Sequence, residues 1–194
     1  PFLLLASTVL LTVSVSASAQ TFPNRPVKLI VGFPPGGGSD VPARIVAQGM
    51  SDALGHAVVV ENPTGAGGFI GAALVAKSPP DGYTLYGCSI ATHGTGPGLY
   101  KSLPVDSVRD FSFVGLIGSN PNVLAVNPKV PVHTVPEFIA WAKSGKRTFA
   151  NAAVGGTPHM SMELFKQAAG FDITSLPYKG DAPARQDVIA GHVE

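Results

Sequence analysis

Cys88 is the only cysteine in this 194-residue chain, so no internal disulfide forms. Charge is sparse as well, with 13% charged residues and a net charge of +1. No basic run and no interleaving of aromatic with basic residues is present, which argues against a nucleic-acid surface, and no block of like charge marks a solvated tail. Beyond the first residues, no apolar run approaches the roughly 20 residues that a membrane span needs. The histidines, at 56, 93, 133, 159 and 192, lack metal-ligand spacing. The Gly36–Asp40 loop is followed by no Lys-Ser/Thr pair and lacks G-x-G-x-x-G spacing, so it carries neither the Walker nor the dinucleotide fingerprint. Neither a metal nor a cofactor is expected.

What is present begins with export. Phe2 to Val15 is a near-continuous, uncharged apolar run, and Ala17-Ser18-Ala19 supplies the small-x-small pattern before Gln20. This reads as a partial secretory signal peptide over residues 1–19, cleaved after Ala19, with the mature protein soluble in the periplasm. Cys88 lies far from that point, so no lipid anchor is expected. An exported chain without disulfides relies on its core, and about 175 mature residues can supply one. Val193-Glu194 reads as the opening of a strand, and the chain is expected to be a fragment cut at both ends.

The most informative stretch is Leu29-Ile30-Val31-Gly32-Phe33-Pro34-Pro35-Gly36-Gly37-Gly38-Ser39-Asp40. An apolar β-type run empties into a glycine loop and then a helix. Ser39 or Asp40 suits the cap, Pro42 the first turn, and Val41, Ile45, Gly49/Met50 and Leu54 recur at helical spacing. Such a unit aims free backbone N–H groups and a helix dipole at one spot, which cradles an anion. The loop carries no catalytic base and no phosphate-gripping lysine.

Further along, strands are expected at 27–33, 58–61, 83–89, 113–118, 122–126, 148–152 and 173–178. Helices are expected at 40–54, 69–76, 134–143, through Ala169 to a stop at Gly170, and 181–190. Glycine loops at strand ends line up along one sheet edge, where open α/β sheets bind ligands. The design of strand, glycine loop and helix occurs at Pro35–Asp40 and again at Gly155–His159. Two α/β lobes follow, 20–119 and an incomplete 120–194, with a clamp closing on a small ligand.

Three sets of residues carry a resemblance. They are Phe33 to Asp40; Val59-Val60-Glu61-Asn62 with Gly65-Ala66-Gly67-Gly68; and Pro80-Asp81-Gly82-Tyr83-Thr84-Leu85. Collinear with them run Pro121-Asn122-Val123-Leu124, Gly155-Gly156-Thr157-Pro158-His159 and Pro177-Tyr178-Lys179-Gly180. Together they resemble the Bug-type extracytoplasmic receptors of tripartite tricarboxylate transporters. The resemblance implies a type II, periplasmic-binding-protein-like, two-lobe α/β clamp on a small di- or tricarboxylate. It also implies membrane permease subunits as partners, and the receptor is expected to act as a monomer. Implied ligand contacts are Phe33, Pro35, Gly36, Gly37, Gly38 and Asp40; Ser89, Thr92 and His93; and Gly155, Gly156, Thr157, His159 and Tyr178. Phe69 and the glycine-rich 94–98 segment depart from the family's usual residues, so ligand identity does not carry over.

Among these residues, Asp40 is read chiefly as a cap or loop brace, Arg44 as an ion-pair residue and the Gly65–Gly68 loop as structural. Ser89 and Thr92 read as hydroxyl donors to a carboxylate, and Thr157 as a donor and helix cap. Two alternatives stay open: an exported enzyme using Ser89 and a histidine on a carboxylate or ester, and a carboxylate sensor. Gly87-Cys88-Ser89-Ile90-Ala91 only superficially resembles a nucleophile elbow, because its fifth position is Ala91 and no helix pattern follows.

Overall fold

The computed structural model describes residues 21–194, so the expected cleavage site after Ala19 lies outside the described residues. The run Val27–Val31 forms β1, with Val27, Leu29, Ile30 and Val31 all buried. A strand buried on both faces sits at a sheet centre, and β1 pairs in parallel with β2 (Val58–Glu61) on one side and β3 (Thr84–Gly87) on the other. Leu29 is in register with Val60 and with Leu85.

Helix α1 (Asp40–Leu54) connects β1 to β2 and ends at Gly55, whose φ of 66° suits a residue without Cβ. It packs Ala43 and Ala47, with Met50 and Leu54 beside them, on Val27, Leu29, Val31 and Val58. The apolar stripe expected along this helix is thereby corrected at its start: Val41 and Ile45 are exposed. Small alanines let the helix axis approach the sheet more closely than those branched side chains would allow. Helix α2 (Phe69–Ala76) closes the opposite side, packing Phe69 and Ala72 with Val105.

After β3 the structure forms a wide helical turn at Ile90–Gly94 and the short α3 at Gly96–Leu99. The sequence reading placed no helix here, because glycine, threonine and proline carry no apolar period. A second parallel pair, β4 (Thr148–Asn151) and β5 (Thr174–Pro177), lies with α4 (Val135–Lys143), α5 (Thr157–Ala169) and α6 (Asp181–Ala190). Its core gathers Phe138, Ala142, Phe171 and Ile173. Thr134 caps α4 by accepting from the Glu137 N–H at 3.4 Å, while the Glu137 carboxylate reaches back to the His133 N–H.

The strands expected at 113–118 and 122–126 are not formed. Val114, Leu116 and Val123 are 89%, 88% and 83% exposed, and no described strand lies beside these residues to complete a ladder. Val193-Glu194 is not a strand either. Instead, the Glu194 carbonyl accepts from the Asn127 N–H, and its carboxylate accepts from the Thr148 N–H and hydroxyl.

Candidate ligand-binding site

Helices α1, α5 and α6 each begin in the loop after a parallel strand, and that topology brings their N-termini to the strands' C-terminal ends. The loop 35–38 sets the geometry of the first. The Gly37 carbonyl accepts from the N–H groups of Asp40 and Val41, both at 3.1 Å, which tightens the start of α1. Ser39 takes the cap position of α1, as the sequence suggested, but its side chain makes no capping hydrogen bond. Asp40 is the first helical residue, 1% exposed, and its carboxylate turns back on the loop. One oxygen accepts from the Gly36 N–H and from Arg44 Nε, each at 2.8 Å; the other accepts from Asn62 Nδ2 at 2.9 Å. Burial works against this charge, but the bonds from Arg44, Gly36 and Asn62 outweigh it and hold the carboxyl below its ordinary range. Asp40 thus braces the loop, and Asn62 extends the brace to the Phe33 carbonyl at 2.8 Å.

Gly38 is left with its N–H facing outward. It donates to Asp181 Oδ2 at 2.8 Å, and its carbonyl accepts from Asn120 Nδ2 at 3.0 Å. Beside it, a Cβ on Gly180 would lie 2.9 Å from Pro34 Cγ, so the start of α6 rests directly on the 34–38 loop. The second glycine loop is joined in a similar way: the Thr95 hydroxyl donates to the Gly155 carbonyl at 2.6 Å, and the Leu99 side chain packs against Gly155. Asn120, Thr95 and Asp181 did not stand out in the sequence as site residues, since each reads locally as a turn or a helix start.

The remaining expected contacts fall into two groups. Gly155 and Gly156 are buried at the start of α5; the Gly155 N–H donates to His159 Nδ1 at 3.2 Å, and His159 stacks on Phe149. Gly156, not Thr157, is the cap residue of α5, which corrects that expectation; Thr157 is the first helical residue and is exposed. Tyr178 donates from its hydroxyl to Asp187 Oδ2 at 2.6 Å; that bond raises the Tyr178 pKa and lowers that of Asp187.

On the loop after β3, Thr92 is fully buried, and its Oγ1 bonds to the Ser89 carbonyl and lies 2.9 Å from His93 Nδ1. His93 packs among Tyr86, Phe111 and Phe113, and burial lowers its pKa. Ser89 has an extended backbone, and its Oγ is buried without a hydrogen-bond partner among the described residues. A helical turn does follow Ser89, but the strained strand-to-helix geometry of a nucleophile elbow is not there. The Gly65–Gly68 loop packs closely against the end of β1: a Cβ on Gly32 would lie 2.6 Å from the Gly68 carbonyl oxygen, which also accepts from the Tyr86 hydroxyl at 3.0 Å. Burial pushes the Tyr86 pKa up to about 12.

Solved structures superpose on this arrangement of parallel α/β units with glycine loops at the strand ends. One, an R. palustris protein solved with adipate, matches with a TM-score of 0.86 at 38% identity, covering 89% of this chain and 58% of that one. MatC from Rhodopseudomonas palustris, solved with bound malate, matches with a TM-score of 0.79 at 32% identity, covering 89% and 59%. Residues 42–194 match the model of the tripartite tricarboxylate transporter family receptors, and the chain belongs to that family. Protein BugT of Bordetella pertussis is 42% identical over 184 residues, which are 93% of this chain and 56% of BugT. The chain therefore spans just over half the length of that relative.

Proposed function

We propose that this chain is the ligand-capturing part of a periplasmic receptor for a small organic carboxylate. The receptor holds a di- or tricarboxylate between the two sheet units and hands it to the permease subunits of a tripartite transporter. One observation carries the reading: a carboxylate, that of Asp181, already sits on the Gly38 N–H at 2.8 Å, at the loop expected to cradle an anion. Relatives of the same fold that hold adipate and malate support the ligand class. The family description supports the transporter, and the leader segment supports export.

In this reading, the backbone N–H groups of Gly37, Gly38 and Thr157 do most of the holding, since those of Gly36, Gly155 and Gly156 are spent on Asp40, His159 and the Ala153 carbonyl. The Ser89 hydroxyl is a donor in reserve, and Phe33, Pro35, His93, His159 and Tyr178 shape the walls. Thr92 and Asp40 act from behind, one locking the β3 loop and the other fixing the first glycine loop. Each helix terminus contributes about 0.3–1 kcal/mol when exposed, so tight capture needs both loops together.

Titration calorimetry with adipate, malate and a tricarboxylate tests the reading. Binding heat is expected from the wild type. In Gly37→Val it should be lost with an unchanged circular-dichroism spectrum, because the side chain would fill the space where an anion meets the backbone. Wild-type affinity in Gly37→Val and Thr157→Val alike would overturn the reading of these loops. N-terminal sequencing of the exported protein should begin at Gln20.

A further inference from the structure

Gly38 and Asp181 are 143 residues apart in sequence, and their bond seats a side-chain carboxylate of the protein on the amide that the proposed ligand needs. Asp181 has no ion pair among the described residues; the Gly38 N–H is its hydrogen-bond partner. Asp181 Oδ2 lies 2.8 Å from where a Cβ on Gly37 would stand, so the carboxylate occupies the space directly over the glycine loop. The Gly38 peptide is held from its other side by Asn120, and Pro34 rests on Gly180 immediately before Asp181. A carboxylate in no ion pair among the described residues, bonded to one backbone amide, can be replaced by another carboxylate that reaches more donors.

We propose that Asp181 is an internal latch. In the ligand-free protein its carboxylate holds the first glycine loop against the start of α6 and competes with the incoming ligand for the Gly38 N–H. The proposal rests on the receptor function argued above. Its consequence is a lowered apparent affinity, because only molecules with Asp181 released present the complete cradle. Such competition multiplies the dissociation constant by the reciprocal of the released fraction. Asp181 also sets specificity: a ligand with a single carboxylate gains little over the latch, whereas one with two or three carboxylates displaces it and still reaches the Gly155 loop.

The test compares wild type, Asp181→Ala and Asp181→Glu in the full-length protein. Titration calorimetry with adipate and with malate gives affinities, and hydrogen exchange of the Gly38 amide is followed by NMR in the ligand-free state. Both variants are expected to bind about five- to tenfold tighter than wild type, the gain for a latch closed in roughly eight to nine molecules in ten. Faster exchange at Gly38 is expected in Asp181→Ala. Asp181→Glu keeps the charge but misplaces the carboxylate, so wild-type affinity in that variant would show a charge effect alone and overturn the latch. Equal or weaker binding by Asp181→Ala, or unchanged Gly38 exchange, would overturn it too. Silence from all three proteins toward both acids would overturn the receptor reading and the latch with it. Binding by wild type without a gain in the variants removes only the latch.

Discussion

The Thr95 hydroxyl donates to the Gly155 carbonyl at 2.6 Å, joining the turn after β3 to the loop before α5 across 60 residues of sequence. Gly155 has a φ of 77°, and a Cβ there would lie 2.6 Å from Leu99 Cδ1, so the close approach depends on glycine. Replacing Thr95 by Val keeps the shape and removes the donor. The expected cost is about 1 kcal/mol, or a fall in Tm of about 2–4 °C by calorimetry. An unchanged Tm would mean that this bond contributes nothing net.

Gly32 offers a sharper test of packing. Its Cβ position is 2.6 Å from a backbone oxygen that cannot rotate away, so Gly32→Ala must shift the Gly65–Gly68 loop away from β1. A loss of about 1–3 kcal/mol is expected in urea unfolding. The bond from Tyr86 to the same carbonyl should weaken with it, and Tyr86→Phe should add less to Gly32→Ala than it costs alone.

Asp40 makes stability depend on pH in a definite direction. Its folded-state pKa lies below the ordinary 3.8, so the unfolded chain binds the proton more readily. Stability from this group is present above that ordinary value and is lost as the pH falls through the lower folded value. Urea midpoints measured from pH 7 down to pH 3 should fall less steeply in Asp40→Asn. The variant should also be less stable at pH 7 by about 1–3 kcal/mol, because the amide offers a poorer acceptor to Gly36 and Arg44.

His93 should titrate below the ordinary 6.5, since burial among aromatic rings disfavours its charged form. An NMR titration of the ring protons would show this, and a midpoint above 6.5 would contradict the packing described. Phe111→Ala opens the ring cluster to water and should move the midpoint back up.

Much of the fold was legible because it is written in short-range signals. The bounds of α1, β2, α2 and α6 follow from glycines and caps within a few residues of each end, and Gly170 ends α5 with a φ of 65°. The stretch from 113 to 126 misled for a related reason. Its β-type residues satisfy a local pattern, but a strand exists only when a neighbour supplies the ladder, and no described strand does so. Val41 and Ile45 carry the same lesson, since helical spacing fixes which residues share a face but not which face meets the sheet.

The amino-acid sequence by itself determined the alternation of strands and helices and the glycine loops at the strand ends. Periodicity, capping and backbone freedom act over a few residues, and they need no partner to be read. Only the tertiary structure decided which groups meet at those loops. Asp40 turned inward to brace the first loop, Thr92 was consumed in the packing of the β3 turn, and Asp181 arrived on Gly38 from 143 residues away. Those placements depend on how two sheet units lie against each other, and the free energy of that arrangement is summed over contacts that no local pattern encodes.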